Sequence, residues 1–322
     1  MLSRAIHDGR KAALVAVVAA GAIAAAAVAP APVSAGRTVS VGAYISNADN
    51  NPALIDDFNA QVDRDAAIIV SYKEWSQAPF VGEQLDGIWS HGAVPLITWE
   101  PVGLRLKRIA RGSYDGYVEE AARVAANWGK PLMLRFGQEM NGDWFSWGRH
   151  PVTFKAAWRH LVRVFRKAGA DNVRWVWNPY VNSRSGQLPF RPYFPGDEWV
   201  DWVGLDVINW GDPHPWRTFS QIAGRSYDQL VQLTPKPVII AETGSGERGG
   251  SKARWVSRML RHNVPRMGHV RAIAFWSEED SRGDLRVDSS GPALAALRSS
   301  LGRPLYASSR EALLSTSLDR GR

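Results

Sequence analysis

The chain alternates short apolar, β-branched runs with amphipathic helical runs over about 270 residues. Eight runs have the character of strands, at 39–45, 66–72, 94–99, 132–136, 173–177, 202–208, 238–241 and 273–276. Helical periodicity is clearest at 114–128, 153–168, 221–233, 251–261 and 292–301. Eight strands that alternate with helices predict an α/β fold, a single-domain (β/α)₈ TIM barrel. A doubly wound sheet also alternates, but it usually has fewer strands and a nucleotide fingerprint after the first, which is missing here.

The two ends of the chain differ from this pattern. Arg4, Arg10 and Lys11 precede the apolar run 12–28, and 33–35 provides small residues at a cleavage position. These features predict a secretory signal peptide at 1–35 and a secreted protein, with a retained N-terminal anchor as the alternative. We expect the catalytic domain at 36–302 and a polar tail at 303–322 that is a frayed end or a short appendage.

Composition excludes several classes of function. The chain has no cysteine, so disulfides, thiolate metal sites and cysteine nucleophiles are ruled out. The seven histidines show no metal-ligand spacing, and we expect no metal and no cofactor. The net charge of +8 is spread over predicted helices, which favours a solvated surface over a nucleic-acid groove. No later segment is apolar enough to span a membrane, and we expect a monomer.

Polar and aromatic residues follow the predicted strands. In a TIM barrel the C-terminal strand ends meet at one face, which is where active sites form. The stretch 131–148 is the richest, since a buried strand breaks at Gly137 and is followed by carboxylate, amide and indole side chains. The candidates that we predict at this face are Trp99, Glu100, Arg135, Gln138, Glu139, Asn141, Trp144, Trp147, Asn178, Asp206, Trp210, Glu242, Trp276, Glu278 and Glu279.

Carboxylates among indoles are typical of sugar-processing sites. Glycoside hydrolysis uses two carboxyl groups, one protonated to assist the leaving oxygen and one ionised. Several acidic residues are available, so the residues alone leave the pair open. Arg135 lies inside an apolar strand, where an obligate cation most readily orients an acidic neighbour. For stacking on sugar rings we favour Trp144, Trp147, Trp210 and Trp276.

Five segments carry a family resemblance: RFGQEMNGDWFSWG at 135–148, TWEP at 98–101, WVWNPY at 175–180, DWVGLD with NWG at 201–211, and AETGS at 241–245. Together they resemble glycoside hydrolase family 26, which contains β-mannanases and some β-1,3-1,4-glucanases. The resemblance implies a retaining double displacement with Glu139 as acid/base and Glu242 as nucleophile. It also implies that Arg135, Asn141, Trp144 and Trp147 shape the central subsite, and that mannan is the leading substrate.

Two positions depart from the family pattern. Gln138 stands where the family has a histidine that would contact the glycosyl ring. Ile208 stands where a tyrosine would hydrogen-bond the nucleophile. Glutamine can still donate and accept hydrogen bonds, but isoleucine cannot replace a phenol. We therefore expect altered subsite chemistry or reduced activity.

Three alternatives stay open. The first is a β-1,3-1,4-glucanase or xylanase on the same scaffold, and the second is a non-catalytic polysaccharide-binding barrel. The third is a nicotinamide oxidoreductase, because Gly244, Gly246 and Gly249 spell G-x-G-x-x-G after a strand. That motif follows the seventh strand and lacks the ribose-binding acid about 20 residues on, so a flexible loop beside Glu242 is the favoured interpretation. A retaining site predicts carboxyl groups about 5 to 5.5 Å apart.

Overall fold

The computed structural model describes residues 37–78, 80–181 and 189–317. The predicted signal peptide lies outside the described residues. No helix within the described ranges is long and apolar enough to cross a bilayer.

Eight parallel strands form a closed barrel. They pair in sequence order, and β1 also pairs with β8, as in the register Val41 to Ile273. The strands are β1 Val39–Tyr44, β2 Ile68–Glu74, β3 Val94–Glu100, β4 Leu132–Phe136, β5 Val173–Trp177, β6 Trp202–Asn209, β7 Val238–Ser245 and β8 Val270–Trp276. The predicted TIM barrel is confirmed. The seventh strand is longer than predicted, because polar residues at the end of β7 continue its pairing with β6. The eighth strand is also longer than predicted, since it begins at Val270.

Helices and short elements surround the barrel. The helices are α1 Ala53–Val62, α2 Gly82–Ser90, α3 Leu106–Ala110, α4 Asp115–Trp128, α5 Pro151–Lys167, α6 Phe219–Leu233, α7 Lys252–Arg258, α8 Val264–Arg266, α9 Gly291–Leu301 and α10 Arg310–Ser317. A π-helix, Met259–Asn263, connects α7 to α8, and two 3₁₀ turns, Arg191–Tyr193 and Asp197–Trp199, precede β6. The remaining short strands are β9 Glu279–Asp280, β10 Gly283–Asp284 and β11 Tyr306–Ala307.

Alternation along each strand divides the core into two layers. On β4, Leu132, Leu134 and Phe136 pack outward against the helices, whereas Met133 belongs to the cluster inside the barrel. Arg135 follows Met133 on the inner face and is fully buried. The inner face of this strand therefore changes from apolar to charged as it approaches the C-terminal end, where the site lies.

The segment after 302 is more ordered than the sequence suggested. Tyr306 in β11 pairs with Val39 in β1, and α10 follows directly. Leu313 is only 2% exposed and belongs to the cluster of the barrel interior. The expectation of a frayed end is corrected as far as residue 317, because a few apolar residues in a polar stretch suffice to anchor it on the barrel.

Candidate active site

Arg135 organises the charges at the C-terminal face of the barrel. Its Nη2 donates to Glu242 Oε1 at 2.6 Å, and its Nη1 donates to Asp206 Oδ1 at 3.0 Å. Its Nε and Nη2 also reach Thr98 Oγ1, at 2.9 and 2.7 Å. The guanidinium is fully buried, so these partners compensate a charge that would otherwise be strongly destabilising there.

A tyrosine that the sequence analysis missed completes this cluster. Tyr72 OH donates a short hydrogen bond to Glu242 Oε1 and accepts one from Arg135 Nη2 at 2.9 Å. Burial raises the pKa of Tyr72 well above its ordinary value, so the phenol keeps its proton and remains a donor. The signal for it was present, because Tyr72 continues the inward alternation of Ile68 and Val70. Ile208 lines the cleft but has no hydroxyl to donate. The phenol that hydrogen-bonds Glu242 belongs instead to Tyr72 on β2.

Glu242 owes its direction to an irregularity in β7. Leu205 of β6 pairs with Ile240, but the next residue, Asp206, pairs with Glu242, so the register skips Ala241. Ala241 packs inside the barrel, and without this shift the next residue would point to the helices. The shift instead turns the Glu242 carboxylate towards Arg135 and leaves its side chain 14% exposed in the cleft.

Glu139 lies on a sharp turn after β4. Gly137 and Glu139 both have positive φ, 53° and 54°, and the Glu139 N–H donates to the Asn178 carbonyl at 2.8 Å. A left-handed conformation is costly for glutamate and is often found at functional positions. The indole Nε1 of Trp144 donates to Glu139 Oε2 at 2.5 Å. Desolvation, and then the negative charge of Glu242, raises the pKa of Glu139 to about 8, against the opposing effect of the Trp144 bond.

The cleft around the two glutamates has a volume of about 430 Å³. Its walls are Tyr72, Glu100, Gln138, Glu139, Trp144, Phe145, Tyr180, Ile208, Trp210, Glu242, Trp276 and Arg282. Trp144 is the most open indole, at 48% exposure, and it meets Tyr180 edge to face with ring centres 4.8 Å apart. Trp276 is stacked on Tyr44 at 4.2 Å, which holds its ring in the wall.

Arg282 changes the expectation for Trp210. The guanidinium carbon of Arg282 lies 3.9 Å from the centre of the Trp210 ring, and both residues line the cleft. A cation at this distance covers one face of the indole. Sugar stacking on that face of Trp210 requires Arg282 to move.

Several residues predicted to bind substrate lie behind the cleft wall. Trp99 is fully buried on the outer side of the sheet, stacked on Trp75 at 4.6 Å. Trp147 is 1% exposed and donates to the Gln138 carbonyl at 2.8 Å. These positions correct the expectation of sugar contact for both tryptophans, because outward packing and loop burial could not be derived from their place in the sequence.

Asn141, Asn178 and Asp206 hydrogen-bond other protein groups behind the cleft wall. Asn141 exchanges two hydrogen bonds with the Tyr180 backbone, at 3.0 and 2.8 Å, and so ties the loop after β4 to the loop after β5. Asn178 Nδ2 donates to Asp206 Oδ2 at 2.7 Å, and Asp206 in turn binds Arg135. The structure therefore gives Asn141, Asn178 and Asp206 positioning contacts, in place of the direct substrate contacts that we predicted.

Gln138 faces the cleft beside a second acidic residue. Its Nε2 donates to Glu100 Oε1, and its Oε1 is buried with no partner among the described residues. Burial raises the pKa of Glu100, with the Gln138 bond opposing the shift. An unsatisfied buried acceptor is costly, so Gln138 Oε1 is a point of unmet hydrogen-bonding capacity in the wall of the cleft.

Two further features concern the spacing of possible metal ligands and the glycines after β7. Within the described ranges, no group of three or more histidine, aspartate or glutamate side chains is arranged to hold a metal. In the G-x-G-x-x-G segment, Gly246 donates to the Asn209 carbonyl at 2.8 Å, and a Cβ there would lie 2.5 Å from the Trp210 carbonyl oxygen. Gly244 itself lies within β7, and Gly246 permits close packing against the end of β6.

Comparisons with known proteins identify a family and several relatives. The model of glycosyl hydrolase family 26 matches residues 107–253. Endoglucanase H of Acetivibrio thermocellus is 33% identical over 277 residues, which are 82% of this chain and 30% of that protein. A mannan endo-1,4-beta-mannosidase of Bacillus subtilis is 31% identical over 188 residues, 55% of this chain and 46% of the relative. The chain thus spans less than half the length of either relative.

The fold also has close structural counterparts. The catalytic domain of a family 26 endo-beta-1,4-mannanase from Bacillus sp. JAMB-750 superposes with a TM-score of 0.69, over 88% of this chain and 90% of that one. Sequence identity is 15%, so this likeness bears on the barrel alone.

Proposed function

Because this chain belongs to glycosyl hydrolase family 26, we propose that it is a secreted, retaining endo-glycoside hydrolase that cleaves a β-1,4-mannan-type polysaccharide by double displacement. The observation that carries the proposal is the pair Glu139 and Glu242, two carboxyl groups in one cleft with opposite surroundings. Glu139 faces desolvation and a neighbouring negative charge, whereas Glu242 receives hydrogen bonds from a guanidinium and a phenol.

These surroundings support the two chemical roles that we propose. A general acid must hold its proton at working pH, and a pKa of about 8 allows Glu139 to do so. A nucleophile must be ionised, and the donors Arg135 and Tyr72 stabilise the Glu242 carboxylate. Both donors bind Oε1 of Glu242, so Oε2 remains available to attack.

The two steps then use the same pair. In the first step Glu139 gives its proton to the glycosidic oxygen, and the bond from that oxygen to the anomeric carbon breaks. At the same time Glu242 Oε2 forms an ester bond with the anomeric carbon. In the second step the Glu139 carboxylate takes a proton from water, the water oxygen bonds to the anomeric carbon, and Glu242 leaves as a carboxylate. Two inversions give overall retention.

The walls of the cleft suit a polysaccharide. The indole of Trp144 and the ring of Tyr180 stand next to Glu139, and Gln138 and Glu100 offer polar contacts. Aromatic faces pack against the C–H faces of sugars, while amide and carboxyl groups bind hydroxyls. The relatives named as mannosidases support mannan as the substrate.

A β-glucan is the second candidate. The relative named as an endoglucanase matches 82% of this chain, a larger share than the mannosidase match of 55%. Gln138 and Ile208 also mark a subsite that departs from the mannanase pattern. A non-catalytic barrel is disfavoured, since Tyr72 supplies the phenol that Ile208 lacks and the glutamate pair keeps distinct surroundings.

The test is reducing-sugar release from mannan, galactomannan, mixed-linkage glucan and xylan by the chain from residue 36 onward. Glu242→Ala is the inactive control, and proton NMR of the first product reports its anomeric configuration. We expect release from one polymer with a retained anomer and none from the variant. Release with inversion would refute the double displacement, and binding without release would refute the enzymatic proposal.

Secretion and domain bounds belong to the same proposal. We place the mature catalytic domain from residue 36, with the segment to 317 as part of the folded unit, because Leu313 is buried on the barrel. Mass spectrometry of the protein recovered from the culture medium would identify its first residue. A product that begins at Met1, or that stays with the cells, would contradict the cleavage.

A further inference from the structure

The connection between β7 and β8 carries a row of three arginines and one histidine on its outer side. Arg254, Arg258, His262 and Arg266 are spaced four residues apart, and all four are exposed. In a pure α-helix of 3.6 residues per turn, such a row drifts steadily around the axis. Here the π-helix Met259–Asn263 interrupts the α-helical winding, and its wider turn reverses that drift. The row therefore stays on one side of the helix.

This row borders a groove that is separate from the catalytic cleft. One cavity of about 520 Å³ is lined by Trp216, Arg254, Arg258 and Asn263, among others. A neighbouring cavity of about 660 Å³ shares Arg254, Arg258 and Asn263 and extends to Arg266. The two cavities together form a continuous depression, which we call the α7 groove. It shares no lining residue with the cleft around Glu139 and Glu242.

The cations of the α7 groove are uncompensated within the described part of the chain. No acidic residue lines the two cavities, and the side chains of Arg254, Arg258 and Arg266 make no hydrogen bond or ion pair with other described residues. Other arginines are engaged, as Arg261 is with Ser299 and Ser300. Like charges four residues apart on a helix repel one another, so an anion bound along the row would stabilise it.

An indole stands at one end of the groove. Trp216, on the loop after β6, is partly exposed and packs so closely on Gly250 that a Cβ there would lie 2.3 Å from its ring. The close backbone contact holds the ring in place beside Arg254 and Ser251. A fixed indole next to guanidinium groups combines a stacking surface for a sugar ring with donors for its carboxylate.

We propose that the α7 groove is a second carbohydrate site, which binds an anionic polysaccharide through its uronic acid carboxylates. One sugar ring stacks on Trp216, and carboxylates of following residues pair with Arg254, Arg258 and Arg266. Successive positions of the row lie about 6 Å apart along the axis, since each of the four residue steps rises about 1.5 Å, a spacing comparable with one sugar residue of an extended chain. Arg254 and Arg258 occupy neighbouring positions, and Arg266 lies two positions beyond Arg258, with His262 between them. A neutral polymer would leave the guanidinium groups unpaired, so charge complementarity selects the acidic class.

The proposal does not depend on the catalytic assignment. The groove would hold the protein on an acidic matrix while the cleft acts on a different polymer. Binding and hydrolysis are therefore separable, and a variant of the groove should keep the activity of the cleft.

The test compares two triple variants of the full chain. Arg254→Gln/Arg258→Gln/Arg266→Gln removes the row, and Arg105→Gln/Lys107→Gln/Arg111→Gln removes three exposed cations elsewhere and serves as the charge-matched control. The probes are polygalacturonate, its fully methyl-esterified form and single-stranded DNA, titrated at low salt and at 0.3 M salt. We expect the affinity for polygalacturonate to fall about tenfold in the row variant and to stay within about twofold in the control. The unmodified chain should not bind the methyl-esterified polymer.

Each other outcome overturns the proposal. Equal losses in both triple variants would mean that diffuse net charge, and not the groove, attracts the polymer. Equal binding of DNA through the same arginines would show a basic surface without preference for sugars. Absence of binding by the unmodified chain at low salt would remove the site altogether. Trp216→Ala separates sugar stacking from charge, since it should weaken polygalacturonate and leave DNA unaffected.

Discussion

Tyr72→Phe is the sharpest test of how the candidate nucleophile is held. The change removes one hydroxyl, and with it the donor to Glu242 Oε1 and the acceptor of the Arg135 bond of 2.9 Å. Arg135 still donates to the same oxygen at 2.6 Å, so one of two donors is lost. A hydrogen bond to a charged group contributes about 1.5–3 kcal/mol, which corresponds to a loss of roughly 10- to 150-fold in kcat/KM.

The assay measures kcat and KM on the polymer that the unmodified chain degrades. We expect kcat to carry most of the loss, because the hydrogen bond that is removed holds the carboxylate of the proposed nucleophile. Tyr44→Phe is the matched control, since Tyr44 lies on the neighbouring strand, stacked on Trp276, and its hydroxyl hydrogen-bonds Ser46. A Tyr72→Phe enzyme with unchanged kcat and kcat/KM would refute the reasoning.

Three further predictions test the site and the scaffold. Activity should fall as pH rises through about 8, where Glu139 loses its proton. Glu139→Gln should lower kcat by about 10²–10⁴-fold and remove this basic limb from the pH profile. A basic limb that persists in the variant would belong to another group. Between about pH 4.5 and 8, Glu139 keeps its proton in the folded state, whereas the unfolded chain has released it, so the free energy of unfolding should decline as the pH rises through this range. Denaturant titrations should show a smaller decline in Glu139→Gln. Leu313→Ala should destabilise the fold by about 2–5 kcal/mol, whereas Val152→Ala, at a position 77% exposed, should change the free energy of unfolding by no more than about 0.5 kcal/mol. Equal melting temperatures for the two variants would show that the segment after 302 does not stabilise the barrel.

The support of Arg135 carries its own consequence for stability. Its removal would leave Asp206 and Glu242 close together in a buried position without their shared cation. Breaking a buried pair in this way costs about 3–5 kcal/mol. The cluster therefore links the fold to the candidate site, since the residue that holds Glu242 is also the cation shared by two buried carboxylates.

The tryptophans show where patterns in the sequence stop being informative. Their abundance near strand ends correctly indicated an aromatic cleft, but not which rings face it. Trp99 and Trp147 turned out to be buried supports, while Trp144 and Trp276 line the cleft. The direction of a side chain at a strand end depends on the local turn and on what packs behind it, and both are set by residues far away in the chain.

The sequence by itself determined the barrel and brought Glu139 and Glu242 to one face. Alternation of strands and helices allows few closed arrangements, and in a parallel barrel all the C-terminal strand ends meet. Only the tertiary structure decided how Glu242 is held, because the Tyr72 bond and the register shift that skips Ala241 arise between different strands of the barrel. Strand periodicity is local and can be read along the chain, whereas register and contact across the barrel are fixed by the packing of the whole molecule.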